Sequence, residues 1–541
     1  MENNQKSLKA KQKMSRGAGW MSMGSIVSRV IGAIYIIPWL AMFGNFSNEA
    51  NGLFNIGYQY YSLFLIIATA GIPSAISKEM AFYTAKNEFR NSLKIFKIAF
   101  ILMCFLGLFA GGLLWLMAPI FSETSPVENP KDVIVVVRSL VPALVTLPVL
   151  SIMRGFFESF QDMKPSALSQ IYEQIIRVVF ILLATFISLN VLKRDLIFAV
   201  SISTFAAFIG SIAAIGILVF YFFKYKNQIS NLVNTSGTNE IKVTYILKDI
   251  MLTALPFLIT SSGITLMQLI DTNTFKNIMM NFSNLNVKDI AIQYAIFSGN
   301  VNKLIMIIIS FAVAIGQTQV PILSNAFGKN DQILQQKLIQ NNLVMFLVVM
   351  LPSVIGVIIV ASPLYTVFYG YDPLGTYLLQ ISCVMAFILG LYFILYTSLQ
   401  ALGHHKTAIL GLLIGIFVKM ILQVPMLAVF GTQGAIFSTT IAFIVTNILY
   451  IFKLKKNNLV SIKQVFLSSK YIFFNTVTMG VFSTSAYYIF SNKIDLQNRA
   501  HSLLTLGLVA VIGGVIYLSM GIKNGVVQLV LGSDLKKRKA I

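Results

Sequence analysis

Charge is what this chain lacks first. Asp, Glu, Lys and Arg make up 11% of its 541 residues, against about 25% in soluble globular domains. Acids are scarcer still, 19 against 41 Lys and Arg. A water-soluble fold of this length is a poor reading. Only two cysteines are present, Cys104 and Cys383, both inside apolar runs. That excludes a disulfide framework or a metal finger, and both read as small buried hydrophobes. The three histidines, His404, His405 and His501, show no ligand spacing. There is no Walker A loop, no G-x-S-x-G elbow and no H-E-x-x-H pair, and almost no extramembrane mass to bind a nucleotide. The expectation is a protein that is not an enzyme and uses no cofactor. A formal charge of +22 does not imply nucleic acid, because the cations sit in short loops rather than on one soluble face.

What is abundant is apolar sequence: 56% of residues and a mean hydropathy of +0.78. The apolar runs are continuous rather than alternating, which excludes a membrane β-barrel and leaves an all-α polytopic membrane protein. About fourteen spans are expected, at 18–43, 52–76, 95–118, 133–153, 167–190, 196–223, 250–275, 291–316, 340–361, 376–400, 407–429, 433–452, 471–491 and 501–520. The first run is too long for a signal peptide and reads as a retained helix.

Loop cations set the orientation. With the N-terminus inside, 29 Lys and Arg fall on cytoplasmic ends and 7 on the opposite side. Both termini are therefore expected in the cytoplasm of a cell-membrane protein. The polar stretch 226–248 separates six helices (1–225) from six more (249–458), and 459–541 holds helices 13 and 14 and a basic tail. At an offset of 242, "RGFFESFQDMKPSALSQIYEQIIRV" (154–178) lies over "YTSLQALGHHKTAILGLLIGIFVKM" (396–420), aligning Lys164 with Lys406 and Arg177 with Lys419. Repeats of six helices are parallel, related by an axis along the membrane normal.

Five cations remain inside the spans: Arg29, Arg138, Arg177, Lys303 and Lys419. Such charges cost at least about 2.5–3.5 kcal/mol at the bilayer centre and usually face a polar interior. Arg29 shares a helix face with Ser22, Ser25 and Gly32. Helix 7 carries Ser261, Thr265, Gln268 and Thr272 beside Asp271; helix 2 carries Asn55, Gln59 and Ser62; helix 8 carries Ser298, Asn302 and Lys303. These stripes read either as the lining of a wet cavity or as helix–helix glue. Glu173 and Arg177, four apart, either neutralise each other or take part in gating. Asp271 is a gate partner of Arg29 or Lys303, or a structural one. Arg29, Arg138, Lys303 and Lys419 have snorkelling as the alternative. A basic wet interior suits an anion, phosphate or carboxylate.

Four motifs carry a resemblance: "SRVIG" in helix 1, "GIPSAISKEMA" (71–81), the 154–178 segment and "QVPILSNAFGKND" (319–331). The chain resembles the polysaccharide-biosynthesis branch of the multidrug/oligosaccharidyl-lipid/polysaccharide exporter superfamily, and within it the MurJ-type (YtgP-like) lipid II flippases of Gram-positive bacteria. The resemblance implies two six-helix lobes around a central cavity, two further helices forming a lipid-tail groove, and alternating access. It implies a polyprenyl-pyrophosphate-linked glycan (lipid II) as cargo, carried for peptidoglycan synthesis, with membrane lipids and the cell-wall synthesis machinery as partners. Arg29 falls on the cavity arginine of helix 1, and Lys303 near the helix-8 cation upstream of Pro321–Ser324. Tyr35 stands where Gram-negative members carry a second arginine, and a basic helix-2 position is missing near Ala70. The expected substrate-binding set is Arg29, Lys303, Ser25, Asn55, Gln59 and Gln268; the expected gating or ion-coupling set is Asp271, Glu173, Arg177 and Lys419. Alternatives are a flippase for another undecaprenyl-linked glycan, a cation-coupled multidrug exporter and a scaffold for wall enzymes.

Overall fold

A computed structural model of the chain describes residues 34–69, 88–160, 162–227 and 262–526, with scattered positions between them (28, 31, 32, 76, 79, 80, 83, 84, 86, 258 and 259). Among the described residues there is no strand. The helices are α1 (Ile36–Ala41), α2 (Ser47–Thr69), α3 (Phe89–Thr124), α4 (Pro130–Ser139), α5 (Val141–Ser159), α6 (Lys164–Phe186), α7 (Leu196–Lys224) and α8 (Gly263–Phe282). They continue with α9 (Val287–Tyr294), α10 (Asn302–Gly328), α11 (Gln332–Ile359), α12 (Ala361–Tyr369), α13 (Pro373–Ala401), α14 (His405–Phe430), α15 (Thr432–Lys456), α16 (Ile462–Ser491) and α17 (Arg499–Lys523). Eleven helical stretches among the described residues are long and apolar enough to cross a membrane. Each overlaps a span expected from the sequence. The other three expected spans, 18–43, 52–76 and 250–275, reach outside the described residues, as does the connection 228–257.

Many large apolar side chains are exposed, such as Ile101, Phe105, Leu108 and Leu116 along α3. On a helix of 36 residues, about 54 Å long, this face meets lipid. Several helix starts are capped: Asp195, Asn286, Asp331 and Asp372 each accept a backbone N–H in the first turn, which satisfies an otherwise orphaned donor.

The chain divides into two compact units, Met1–Asn273 and Thr274–Ile541. The divide falls within α8, and side chains explain what holds the first part of that helix. Thr272 donates to Gln59 on α2, and Asn273 accepts from Tyr60 (3.1 Å) and Thr124 (2.5 Å). In the first unit the fully buried Trp39 donates its indole N–H to Thr185 (3.2 Å) and Ser203 (3.1 Å), tying α1 to α6 and α7. Pro142 at the start of α5 cannot continue the preceding ladder, so one apolar run becomes α4 and α5, broken at Leu140.

In the second unit the α14–α15 hairpin turns on Gly431, at φ +58°, a backbone region that favours glycine. Its helices then close to backbone contact. A Cβ on Gly434 would lie 2.1 Å from the Met426 carbonyl oxygen, and one on Gly411 would lie 2.3 Å from the Tyr450 ring.

Candidate functional site

In the first unit three charged side chains converge. Helix α6 places Ser169, Glu173 and Arg177 at successive four-residue steps, hence on one face. Helix α5 supplies Arg154 opposite. Glu173 divides its two oxygens: Oε2 accepts Arg154 Nη2 at 2.7 Å, and Oε1 accepts Arg177 Nη2. Arg154 Nε also donates to Ser169 Oγ at 2.8 Å. The side chains are 17%, 12% and 21% exposed for Arg154, Glu173 and Arg177 respectively. Two guanidiniums against one carboxylate leave a surplus positive charge in a membrane-embedded place. Tyr58, Tyr61 and Tyr35 interact electrostatically with Arg177. The α6–α7 contact beneath it depends on Gly210, where a Cβ would lie 2.8 Å from the Glu173 carbonyl oxygen and 3.1 Å from Arg177 Cβ.

Arg154 was hidden in the sequence. The expected span 133–153 stops one residue short of it, so it counted among loop cations. Helix α5 in fact runs on to Ser159, because "RGFFES" continues the helix past the point where hydropathy drops. The mutual-neutralisation reading of Glu173 and Arg177 therefore describes only part of the cluster.

The polar stripes of α2 and α8 meet each other. Thr272 Oγ1 bonds both Gln59 Oε1 and the Gln268 backbone carbonyl (2.9 Å). Asn55, Gln59 and Thr272 are buried, Asp271 is 4% exposed, and Gln268 is half-buried. In this state Gln59 and Thr272 join two helices, the role that small polar residues have in membrane interfaces. Arg29 and Ser25 lie outside the described residues.

In the second unit Lys303 is half-buried in the first turn of α10. The seven residues before α10, Ala295–Val301, form a π-helical turn, and all are buried. Such wide turns recur at functional sites. The turn carries Ser298 and Asn300; Asn300 Nδ2 donates to Tyr365 Oη on α12 at 2.7 Å. Sequence gave no sign of the turn.

Lys419 does not reach an interface. It is fully buried, and its Nζ donates to Thr439 Oγ1 (2.6 Å), Ser438 Oγ (3.1 Å) and the Ala435 carbonyl (3.2 Å) on α15. Gln423 extends this set, accepting from Ser438 (3.0 Å) and donating to Thr274 (3.0 Å). Arg138, in the last turn of α4, lies over the Trp115 ring at 4.1 Å, a cation–π contact. Among the described residues, no cluster of His, Cys, Asp and Glu is arranged to hold a metal ion.

Long apolar helices with charged groups set among them define a polytopic all-α membrane protein. The sequence pattern of the polysaccharide biosynthesis protein family matches residues 14–327, and the chain belongs to that family. Lipid II flippase MurJ of Bacillus subtilis (strain 168) is 30% identical over 535 residues, 97% of each chain. A solved lipid II flippase MurJ in an inward closed conformation superposes with a TM-score of 0.60 over 93% of this chain and 97% of that one, at 17% identity. An inward-facing multidrug resistance MATE family transporter of the MOP superfamily gives 0.57 over 79% and 98%, at 15% identity. Both superpositions bear on the fold alone.

Proposed function

We propose that this protein is a lipid-linked oligosaccharide flippase that moves lipid II from the cytoplasmic to the outer leaflet by alternating access. The observation that carries the reading is the 30% identity to a lipid II flippase across 97% of both chains. The surplus of buried positive charge supports it, since an anionic headgroup needs cationic partners away from bulk water. In this reading Arg29 and Lys303 hold the pyrophosphate, Ser25, Asn55, Gln59 and Gln268 meet the glycan, and Asp271, Glu173 and Arg177 serve gating or ion coupling, whereas Lys419, enclosed by its acceptors on α15, fastens the α14–α15 pair. The polyprenyl tail stays in lipid along α16. There a groove of about 760 Å³ runs between Ile355 and a wall of Val477, Gly480, Val481, Tyr488 and Ile489. The 29 to 7 bias of cations supports cytoplasmic termini, and enzymes of wall synthesis are the partners that would use the translocated sugar. Segments 1–225 and 249–458 are the two lobes of this reading, with 226–248 linking them and 459–541 serving the tail.

The multidrug-exporter alternative calls for acids that take up H⁺ or Na⁺. Glu173 and Asp271 are the acids that reading would use, and the bridging of Glu173 by two guanidiniums disfavours a part for Glu173 in it. The flippase reading is tested with Arg29→Ala in cells that depend on this gene, with folded protein levels checked. Loss of growth and of outward-facing lipid II is expected. Normal growth with normal translocation overturns the role of Arg29. Arg29→Lys keeps the charge but loses the two-pronged fork, and should fall between.

A further inference from the structure

We infer that Arg177, held by Glu173, binds the phosphate or pyrophosphate group of the transported lipid from within the first unit; the inference rests on the flippase reading above and adds a residue and a partner exchange to it.

The three members of the cluster are unequal. Glu173 spends one oxygen on each arginine. Arg154 is anchored twice, through Nε to Ser169 and Nη2 to Glu173. Arg177 makes one hydrogen bond among the described residues, from Nη2 to Glu173. Its Nε is buried without an acceptor there, packed against Gly210. A guanidinium has five N–H donors in a rigid fork that matches phosphate oxygens. Arg177 is thus the under-used cation, and it is also the most exposed of the three at 21%.

The surroundings suit an anion. Tyr58, Tyr61 and Tyr35 interact electrostatically with Arg177, and a tyrosine hydroxyl can donate to a phosphate oxygen. The cluster's charge of +1 is uncompensated among its own members, and a buried charge left unpaired is costly. A phosphate oxygen arriving at Arg177 would take the place of Glu173 Oε1 on Nη2. Glu173 keeps its bond to Arg154, so the partner exchange leaves the α5–α6 contact intact.

The test uses full-length protein in zwitterionic lipid nanodiscs, with farnesyl pyrophosphate, inorganic pyrophosphate and farnesol as probes. Four variants separate position from charge. Glu173→Gln raises the cluster to +2, Arg177→Gln lowers it to 0, and the double variant E173Q/R177Q returns it to +1 without Arg177. Arg177→Lys keeps the charge and loses the fork. Farnesyl pyrophosphate should bind about tenfold more weakly to R177Q and equally weakly to the double variant, tighter to E173Q, and at an intermediate level to R177K. Farnesol should be indifferent to all four. Inorganic pyrophosphate following the same ranking assigns the site to the anion itself. Its failure to bind, with farnesyl pyrophosphate still ranked, assigns it to the lipid-borne group. A double variant that binds like wild type overturns the inference, because Arg177 then merely balances Glu173. Should R177Q fail to fold, the double variant and R177K carry the same comparison. Wild type that flips lipid II while R177K and the double variant keep full affinity overturns this inference alone; wild type that neither binds nor flips overturns the flippase reading with it.

Discussion

Arg177 and Lys419 occupy matching positions in the sequence echo, 242 residues apart, yet the two units treat them differently. Lys419 is fully buried and donates to three oxygens of the adjacent helix. Arg177 is partly accessible, and among the described residues it shares its one carboxylate partner with Arg154 and keeps a buried Nε without an acceptor. One cation is built into a helix pair; the other belongs to a charged cluster with positive charge to spare. A matched charge in a repeat therefore does not imply a matched role. What decides is whether the neighbouring helix offers acceptors, as α15 does with Ala435, Ser438 and Thr439, or offers a bare backbone, as α7 does at Gly210.

The contrast can be broken most severely at Gly434. An added methyl would lie 2.1 Å from the Met426 carbonyl, so Gly434→Ala must part the α14–α15 hairpin, at about 3 kcal/mol of overpacking. Thermal unfolding in detergent should drop sharply. Next, Lys419→Met fills the same volume but leaves Thr439, Ser438 and a carbonyl without their donor, at about 2 kcal/mol; the melting point should fall while lipid II flipping by the folded fraction persists. Trp39→Phe sharpens the comparison from the other unit. It removes the indole bonds to Thr185 and Ser203 and leaves those two hydroxyls paired with each other at 2.7 Å. The expected loss is about 1 kcal/mol, with unchanged anion binding at Arg177.

The smallest effect is a pH dependence at the turn before α14. His404 Nε2 accepts from Asn457 Nδ2 at 2.9 Å, since an amide nitrogen only donates. Burial, then Lys453 and His405, hold its imidazole below the ordinary value of 6.5. A depressed histidine contributes stability above the unfolded value and loses it as pH falls toward the folded one. Unfolding temperatures between about pH 7.5 and 5.5 should decline slightly more for wild type than for His404→Asn.

Hydropathy made the membrane-crossing helices legible because lipid leaves the backbone no other option. It misjudged their ends for the same reason. The index marks the part of a helix that lies in hydrocarbon, whereas α11 begins at Gln332 and α16 at Ile462, well before the expected starts at 340 and 471. Arg154 was lost in that gap. Of the candidate site, Glu173 and Arg177 were legible because they are four apart on one helix. The pairing of Gln59 with Thr272 and the enclosure of Lys419 were not, because they depend on which helix lies opposite. Tyr35 shows both sides of this. It stands where the resemblance leads one to look for an arginine, and it interacts electrostatically with Arg177 of α6.

The most direct measurement is lipid II translocation in reconstituted vesicles by wild type, Lys419→Met and the E173Q/R177Q pair, each normalised to folded protein. The expected result is that wild type and Lys419→Met move lipid II while the double variant falls about tenfold. Equal translocation by all three, or none by wild type, would contradict the assignment of a lipid-linked anion to the charged cluster of the first unit.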